Sequence, residues 1–205
     1  MIYYQDDLVT IRDMRQSDCL IIHNEITAQN WNSELSRYEK YYNEQNSNER
    51  YVFIAEYRGN IAGYTTLIPV AMEGPFAPSR QLKDYMTSSE TNTQPLRGKT
   101  SIANEVSQGI PEVVDFNVFI KYQRLGIGNR ILDVAEAKAA EFSNIVSLGV
   151  GLHSGYGSAQ RIYVKRGYLP DGSGVWYQNK QLGQYEQCNN DDELILYFSK
   201  VLNNK

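Results

Sequence analysis

The sequence predicts an α/β domain, and three stretches carry that prediction. Residues 111–130, PEVVDFNVFIKYQRLGIGNR, run from an apolar-rich segment through a short polar turn and a glycine pair. A helical pattern follows, with Ile127, Ile131, Leu132 and Ala135 on one face. Residues 145–152, IVSLGVGL, form a second apolar segment whose glycines permit close backbone contact. After a polar, glycine-rich turn it leads into the short helix SAQRIYVKR, with Gly167 placed as its C-cap. Residues 51–58 and 60–70 read as a hairpin joined at Arg58, Gly59 and Asn60.

The remaining elements follow in chain order. Residues 8–12 form a short strand. Ser17 or Asp18 caps a helix carrying Leu20, Ile21, Ile22 and Ile26. Asn32 or Ser33 opens a second helical stretch through Tyr38, Tyr41 and Tyr42, which fades at residues 46–48. The hairpin comes next, then the strand at 113–120 and its helix, the strand from Ile145, the Tyr163 helix, and a terminal strand at 193–199. A chain of 205 residues is long enough for one well-cored domain. With no internal repeat, residues 1–205 are expected to form a single domain. Residues 72–110 interrupt the pattern, being rich in Pro, Ser, Thr, Asn, Gln and Gly with a brief apolar interval at 82–86. A connection of that length in a compact domain is an insertion that is either functional or disordered. Arg80, Lys83 and Lys99 within it have no readable role.

Composition excludes several classes of function. A net charge of −4 argues against a nucleic-acid partner, which needs a concentrated basic face. No apolar run is long enough to span a membrane, and the first residues lack a signal-peptide pattern, so a cytoplasmic protein without membrane contact is expected. Cys19 and Cys188 have neither metal-ligand spacing nor a disulfide framework, and no His/Cys/carboxylate cluster supports a metal site. Ser154 beside His153 lacks a strand-to-helix nucleophile elbow, which removes the serine-esterase reading.

The glycine pair bears on chemistry. A helix N-terminus exposes unpaired N–H groups and the positive end of the peptide dipoles, and glycines there let a phosphate approach. Neither the dinucleotide spacing G-x-G-x-x-G nor a P-loop is present. Gln123, Arg124, Leu125, Gly126, Ile127 and Gly128 instead read Q-x-x-G-x-G after a strand ending in V-F-I, which resembles the acyl-CoA pyrophosphate loop of the GNAT superfamily of N-acyltransferases. Residues 159–168 match the A-x-x-φ-Y-x-x-x-G-F/Y helix that follows the fifth strand in that superfamily, with Tyr168 in the final aromatic place. Residues 169–174, LPDGSG, look like a bacterial branch of it. The resemblance implies the GNAT (acyl-CoA N-acyltransferase) fold: a central mixed, mostly antiparallel sheet, splayed between its fourth and fifth strands, with helices on both faces.

It also implies acetyl-CoA as co-substrate, with no metal. Backbone N–H groups of the turn from Gln123 through Asn129 would hold the pyrophosphate. Val118 and Ile120 would bond along the pantetheine, the N–H of Val118 polarising the thioester carbonyl. The usual proline of this strand end is Ile120 here. The basic groups Lys121/Arg124/Arg130 and Arg161/Lys165/Arg166 flank these elements, either to meet phosphates or as solvated helix faces. Tyr163 matches the tyrosine that protonates the departing thiolate; the alternative is a packed aromatic in a chain with 16 tyrosines.

An alkylamine must lose a proton before it attacks. Strand alternation puts Glu112, Val114, Phe116 and Val118 on one face and Val113, Asp115, Asn117 and Phe119 on the other. Glu112 and Asp115 stand where superfamily members carry acidic residues, and a carboxylate inside an apolar strand is costly unless paired. A structural role for Asp115 stays open. His153 is either a third base or a solvated loop residue, and His23 reads as structural. The expected activity is transfer of an acetyl group to the primary amine of a small molecule by direct attack in a ternary complex. A protein or peptide amine, or a non-catalytic acyl-CoA sensor, are the alternatives. Acceptor contacts are expected from the first two helices, including Trp31 and Tyr38, and from the insertion. A homodimer joined through the edge strand 194–198 is compatible with the superfamily.

Overall fold

The structure, a computed structural model, describes residues 1–78 and 109–202. Most of the 72–110 insertion, with Arg80, Lys83 and Lys99, lies outside the described residues. The chain forms two compact units, the first built of Met1–Ile68 and Val113–Lys138, the second of Pro69–Glu112 and Ala139–Lys205.

The first unit contains β1 (Ile2–Gln5), β2 (Val9–Asp13), α1 (Asp18–Ala28), α2 (Leu35–Asn46), β3 (Tyr51–Tyr57), β4 (Asn60–Ile68), β5 (Glu112–Val118) and α3 (Ile127–Ala139). The strands lie in the order β1-β2-β3-β4-β5, and β1 to β4 pair antiparallel. Consecutive residues of β3 and β4 are buried, so both faces of these strands are covered. On one face Val52, Ile54, Ile61 and Tyr64 pack with Ile22 and Ile26 of α1, Tyr38 of α2, and Phe119. The expected hairpin is present, and Arg58 (φ 50°) and Gly59 (φ 79°) supply the two left-handed residues its tight turn requires. The predicted α3 stripe of Ile127, Ile131, Leu132 and Ala135 is buried. Of the apolar residues in α1, Ile22 and Ile26 face the core while Leu20 and Ile21 are exposed.

Two expectations at this end are corrected. Strand β1 was not foreseen: its four residues, IYYQ, are too few to show a period. It is held by the Met1 ammonium and the Tyr3 hydroxyl, which both bond to the Asp13 carboxylate at 2.5 Å. Ser17 occupies the N-cap of α1 but makes no side-chain capping bond. The Asp18 carboxylate instead accepts from the Arg15 N–H at 2.7 Å and from Arg12 Nη1 at 2.6 Å. Arg12 also bonds Glu56 of β3 at 2.5 Å and the Asp13 carbonyl at 2.8 Å, tying β2, α1 and β3 together. Burial opposes the guanidinium charge, but the bonds to Asp18 and Glu56 outweigh it and raise the Arg12 pKa.

The second unit contains β6 (Ile145–Gly151), α4 (Gly157–Lys165), β7 (Leu169–Tyr177), β8 (Lys180–Gln181) and β9 (Leu194–Val201). These strands are antiparallel in the order β6-β9-β7-β8. Its core centres on Tyr197, whose ring meets Trp176 at 5.7 Å and Phe76 at 6.3 Å. Gly74 (φ 70°) lets the chain pass against that ring, where a Cβ would collide. Helix α4 ends as expected at Gly167 (φ 86°), with the Tyr168 N–H bonding back to the Tyr163 carbonyl at 3.1 Å. Strand β7 was not foreseen, because Pro170, Gly172 and Gly174 are poor strand formers. The glycines adopt φ 88° and 83° inside a register shift between Pro170 and Val175. The expectation of an edge strand at 194–198 is also corrected: β9 pairs with β6 on one side and β7 on the other, so its backbone is used. Among the described residues no helix is long and apolar enough to cross a membrane, and no group of His, Cys, Asp and Glu is arranged to hold a metal.

A polar clasp joins the start of α4 to the segment before β9. His153 Nδ1 accepts from the Gly155 N–H at 3.1 Å, and its Nε2 lies 2.9 Å from Asp192 Oδ1, which also accepts from the Tyr156 hydroxyl at 2.9 Å. The bonds from His153 and Tyr156 hold the Asp192 carboxyl below its usual range.

Two stability predictions follow from these contacts. Arg12 and Asp18 are 4% and 2% exposed, so Arg12→Ala leaves a buried carboxylate unpaired and should cost about 3–5 kcal/mol in urea unfolding. Asp192 has a lowered folded pKa, so its contribution is present above the unfolded carboxylate pKa and is lost as pH falls through the folded value. Asp192→Asn should therefore cost under about 1 kcal/mol at neutral pH, as for an exposed pair, and the gap to wild type should close on acidification.

Candidate active site

Asp115 sits in β5 with φ 55°, a left-handed conformation that only a few residue types tolerate inside a strand. This corrects the expected unbroken alternation, since a strand kinked at Asp115 does not keep Glu112 and Val114 on one continuous face with Phe116 and Val118. The neighbouring β4 accommodates the kink. Thr65 and Thr66 both donate to the Val114 carbonyl, at 3.3 and 3.0 Å. At Gly63 a Cβ would strike the Asn117 carbonyl oxygen and stand 2.9 Å from Val118 Cα, so β4 needs glycine where β5 approaches.

Three donors converge on the Asp115 carboxylate. Tyr64 of β4 donates to Oδ2 at 2.9 Å, Tyr41 of α2 to Oδ2 at 3.2 Å, and Asn117 Nδ2 to Oδ1 at 2.7 Å. Burial, then the charge of Asp115, push both tyrosine pKa values upward. Burial opposes the charge of Arg37 in α2, but Asp115 together with Tyr41, Tyr38 and Tyr64 outweighs it and raises the Arg37 pKa, and the Arg50 guanidinium lies 4.5 Å over the Tyr41 ring. Sequence reading missed Tyr41, Tyr64, Asn117 and Arg37 as site residues. Only Asn117, two residues beyond Asp115 on the same strand, gave a local signal. Tyr38, expected to contact the acceptor, is fully buried, whereas Trp31 is 40% exposed. Glu112 is half-buried at the first position of β5.

After β5 the chain makes a 3-10 turn, Ile120–Tyr122, and a loop that opens α3. Arg124 (φ 64°) and Gly126 (φ 79°) are both left-handed. Alternating handedness of this kind turns successive N–H groups to one side, and the first-turn amides of α3 have no partner within the helix. The Ile120 N–H, expected along a pantetheine, is donated to Gln29 Oε1 at 2.6 Å, and the Val118 carbonyl accepts from Gln123 Nε2 at 3.1 Å. Two of the three basic side chains here are committed. Lys121 pairs with Glu25 at 2.7 Å, and Arg130 pairs with Asp6 at 3.0 Å and bonds the Tyr4 hydroxyl at 3.1 Å. Arg124 is exposed, as are the side chains of Ile120 and Leu125.

In the second unit, Tyr163 lies on the buried face of α4 at 5% exposure, its ring 5.7 Å from that of Tyr168. Burial, with a smaller contribution from Tyr156, pushes its pKa upward. His153 is engaged by Gly155 and Asp192, as described above.

The acetyltransferase (GNAT) family profile matches residues 16–168. No curated protein matches the chain in sequence. Among solved structures, it is similar to a Salmonella typhimurium acetyl transferase that modifies the N-terminal serine of a 50S ribosomal subunit protein, with 8% identity and a TM-score of 0.63 over 99% of this chain and 100% of that one. It also resembles a putative acetyltransferase from Salmonella typhimurium with its cofactor acetyl-CoA, at 13% identity and a TM-score of 0.57 over 97% and 96% of the two chains. A third similar structure is a spermidine N-acetyltransferase chimera including Vibrio cholerae sequence, at 14% identity and a TM-score of 0.59 over 95% and 96%. With three-quarters of its length matched by the family profile and the fold shared with these enzymes, the chain belongs to the GNAT family of acetyltransferases.

Proposed function

We propose that this protein moves the acetyl group of acetyl-CoA to the primary amine of a small molecule by direct attack in a ternary complex. The observation that carries the proposal is the turn before α3. The left-handed Arg124 and Gly126 lead into a helix N-terminus, where first-turn amides lack a partner within the helix and the positive end of the peptide dipoles faces outward, which is the arrangement an anion of pyrophosphate size requires. Gly126 is suited to close approach, since a side chain at φ 79° is strained and its Cβ would stand 3.2 Å from Arg130 Nη1. The Gln123 N–H, expected to take part, is donated to the Ile120 carbonyl at 3.2 Å, so the pyrophosphate is left to the turn that runs from Arg124 into α3. Arg124 supplies a positive side chain without an ion pair among the described residues, whereas Lys121 and Arg130 are already neutralised.

The Val118 N–H serves as the donor to the thioester carbonyl. Ile120, with its N–H given to Gln29, contributes an exposed apolar side chain beside the turn, as Leu125 does. A carboxylate offers about four lone pairs and Asp115 uses three, so one position on Oδ1 is left for an ammonium. Asp115 binds the amine there and takes its proton, with Glu112 as the second carboxylate of the strand. Tyr163, kept protonated by burial, donates to the departing thiolate to give the free thiol of CoA and regains its proton from solvent.

Thiol release from acetyl-CoA against a panel of polyamines, aminoglycosides, amino acids and a serine-initiated peptide tests this reading. Release that depends on a small amine supports it. Release with the peptide alone moves the acceptor to a protein N-terminus. Binding of acetyl-CoA without release under any amine favours a sensor. Tyr163→Phe should lower kcat by about 10²-fold or more while leaving acetyl-CoA affinity by calorimetry unchanged. Gly126→Val should weaken acetyl-CoA binding by about tenfold, or about 1.4 kcal/mol, with the fold retained.

A further inference from the structure

The turn between β5 and α3 is held from outside by α1. Just past β5, the Phe119 N–H donates to the Ala62 carbonyl of β4 at 2.9 Å, and the Phe119 side chain is buried in the core. Beyond it, the Tyr122 and Gln123 N–H groups bond back to the Phe119 and Ile120 carbonyls at 2.8 and 3.2 Å. Those two bonds lie within the 3-10 turn, so they set its shape and not its direction. The Tyr122 ring packs on the core beside Tyr57, with 6.0 Å between centroids, which anchors the turn at one point. One anchor leaves a pivot.

Two side chains at the end of α1 remove the pivot. Glu25 and Gln29 are one helical turn apart and lie on the same side of α1. Glu25 Oε1 accepts from Lys121 Nζ at 2.7 Å, and Gln29 Oε1 accepts from the Ile120 N–H at 2.6 Å. Gln29 Nε2 donates to the Glu25 carbonyl at 2.9 Å. A carboxamide has an acceptor end and a donor end, so an N–H on one side and a carbonyl on the other permit a single orientation. The Gln29 side chain is therefore fixed before any ligand arrives. Gln123 Nε2 bonds the Val118 carbonyl at 3.1 Å, which closes the frame from the other side. This frame lies between the Val118 N–H and the left-handed Arg124 and Gly126, and its direction decides whether the two face one ligand.

We infer that Gln29, supported by Glu25, is a positioning residue for the cofactor turn: it makes α1 a brace that aims residues 124–128. The inference rests on the reading of this turn as the acetyl-CoA site. The brace is preformed, because each of its bonds is made within the protein and none needs the ligand.

Nitrogen–proton NMR of the free protein tests the brace directly. Gln29→Leu keeps the bulk of the side chain and removes both ends of the amide. The Ile120 amide should move upfield and exchange faster with solvent, and the Arg124, Leu125 and Gly126 amides should shift with it. Unmoved β3 and β4 amides show that the variant has folded. Calorimetry with CoA reads the consequence: Gln29→Leu should bind CoA about five- to tenfold more weakly than wild type. Ile26→Val is the structural comparison, since it loosens the packing of the same helix in the core without touching the turn. It should lower the urea midpoint and leave CoA affinity unchanged. Arg124, Leu125 and Gly126 resonances that stay in place in Gln29→Leu overturn the inference. A loss of affinity in Ile26→Val as large as in Gln29→Leu overturns it too, because helix stability alone would then set affinity. Wild-type protein that binds no CoA refutes the acetyl-CoA reading of the turn, and this inference falls with it. A Gln29→Leu protein that binds CoA as tightly as wild type overturns the inference and leaves that reading standing.

Discussion

The first unit is organised around a charged carboxylate placed inside a strand. Asp115 is half-buried between aromatic side chains, and a carboxylate there is tolerable only when its lone pairs are matched by donors. Three donors come from three elements: Tyr64 from β4, Tyr41 from α2 and Asn117 from β5 itself. The carboxylate sits at the left-handed residue of β5, and the Tyr41 bond ties α2 to that point of the sheet. Inside the core cluster the Tyr38 and Tyr64 rings meet edge to face. A site built this way is pre-organised, because moving the carboxylate means breaking bonds to several elements at once.

The turn before α3 shows a second economy. The basic side chains flanking this turn read either as phosphate contacts or as a solvated face, and Lys121 and Arg130 are turned to Glu25 and Asp6. Asp6 is held far below the usual carboxylate range by the Tyr4 hydroxyl, by the amides of Leu8 and Val9, and by Arg130. In the proposed reading the attraction for an anion comes chiefly from oriented backbone amides, with Arg124 as the side-chain cation of this turn that has no ion pair among the described residues. Backbone dipoles are fixed by the fold and lose no rotamer freedom on binding, whereas long flexible cations do. A chain of net charge −4 is compatible with the proposed role of this turn.

What the sequence determined by itself was whatever depends on neighbours a few residues apart. The β3–β4 hairpin, the α3 stripe of Ile127, Ile131, Leu132 and Ala135, and Gly167 at the end of α4 were all legible. Periodicity and glycine chemistry operate within one or two turns of chain. The motifs at 123–128 and 159–168 were legible for the same reason, and they were sufficient for the family. Tertiary structure decided the rest, because the deciding partners are distant in sequence. Tyr41 and Tyr64 reach Asp115 across 74 and 51 residues, and Gln29 takes the Ile120 N–H across 91. β7 was hidden because its glycines signal a turn locally, and only pairing with β9 makes them a bulge in a strand. β9 reads identically whether it is an edge or a centre, since a strand's side chains do not reveal how many neighbours its backbone has. Residue identity announces what chemistry is available, while the commitment of each lone pair and proton is settled only when remote donors and acceptors meet.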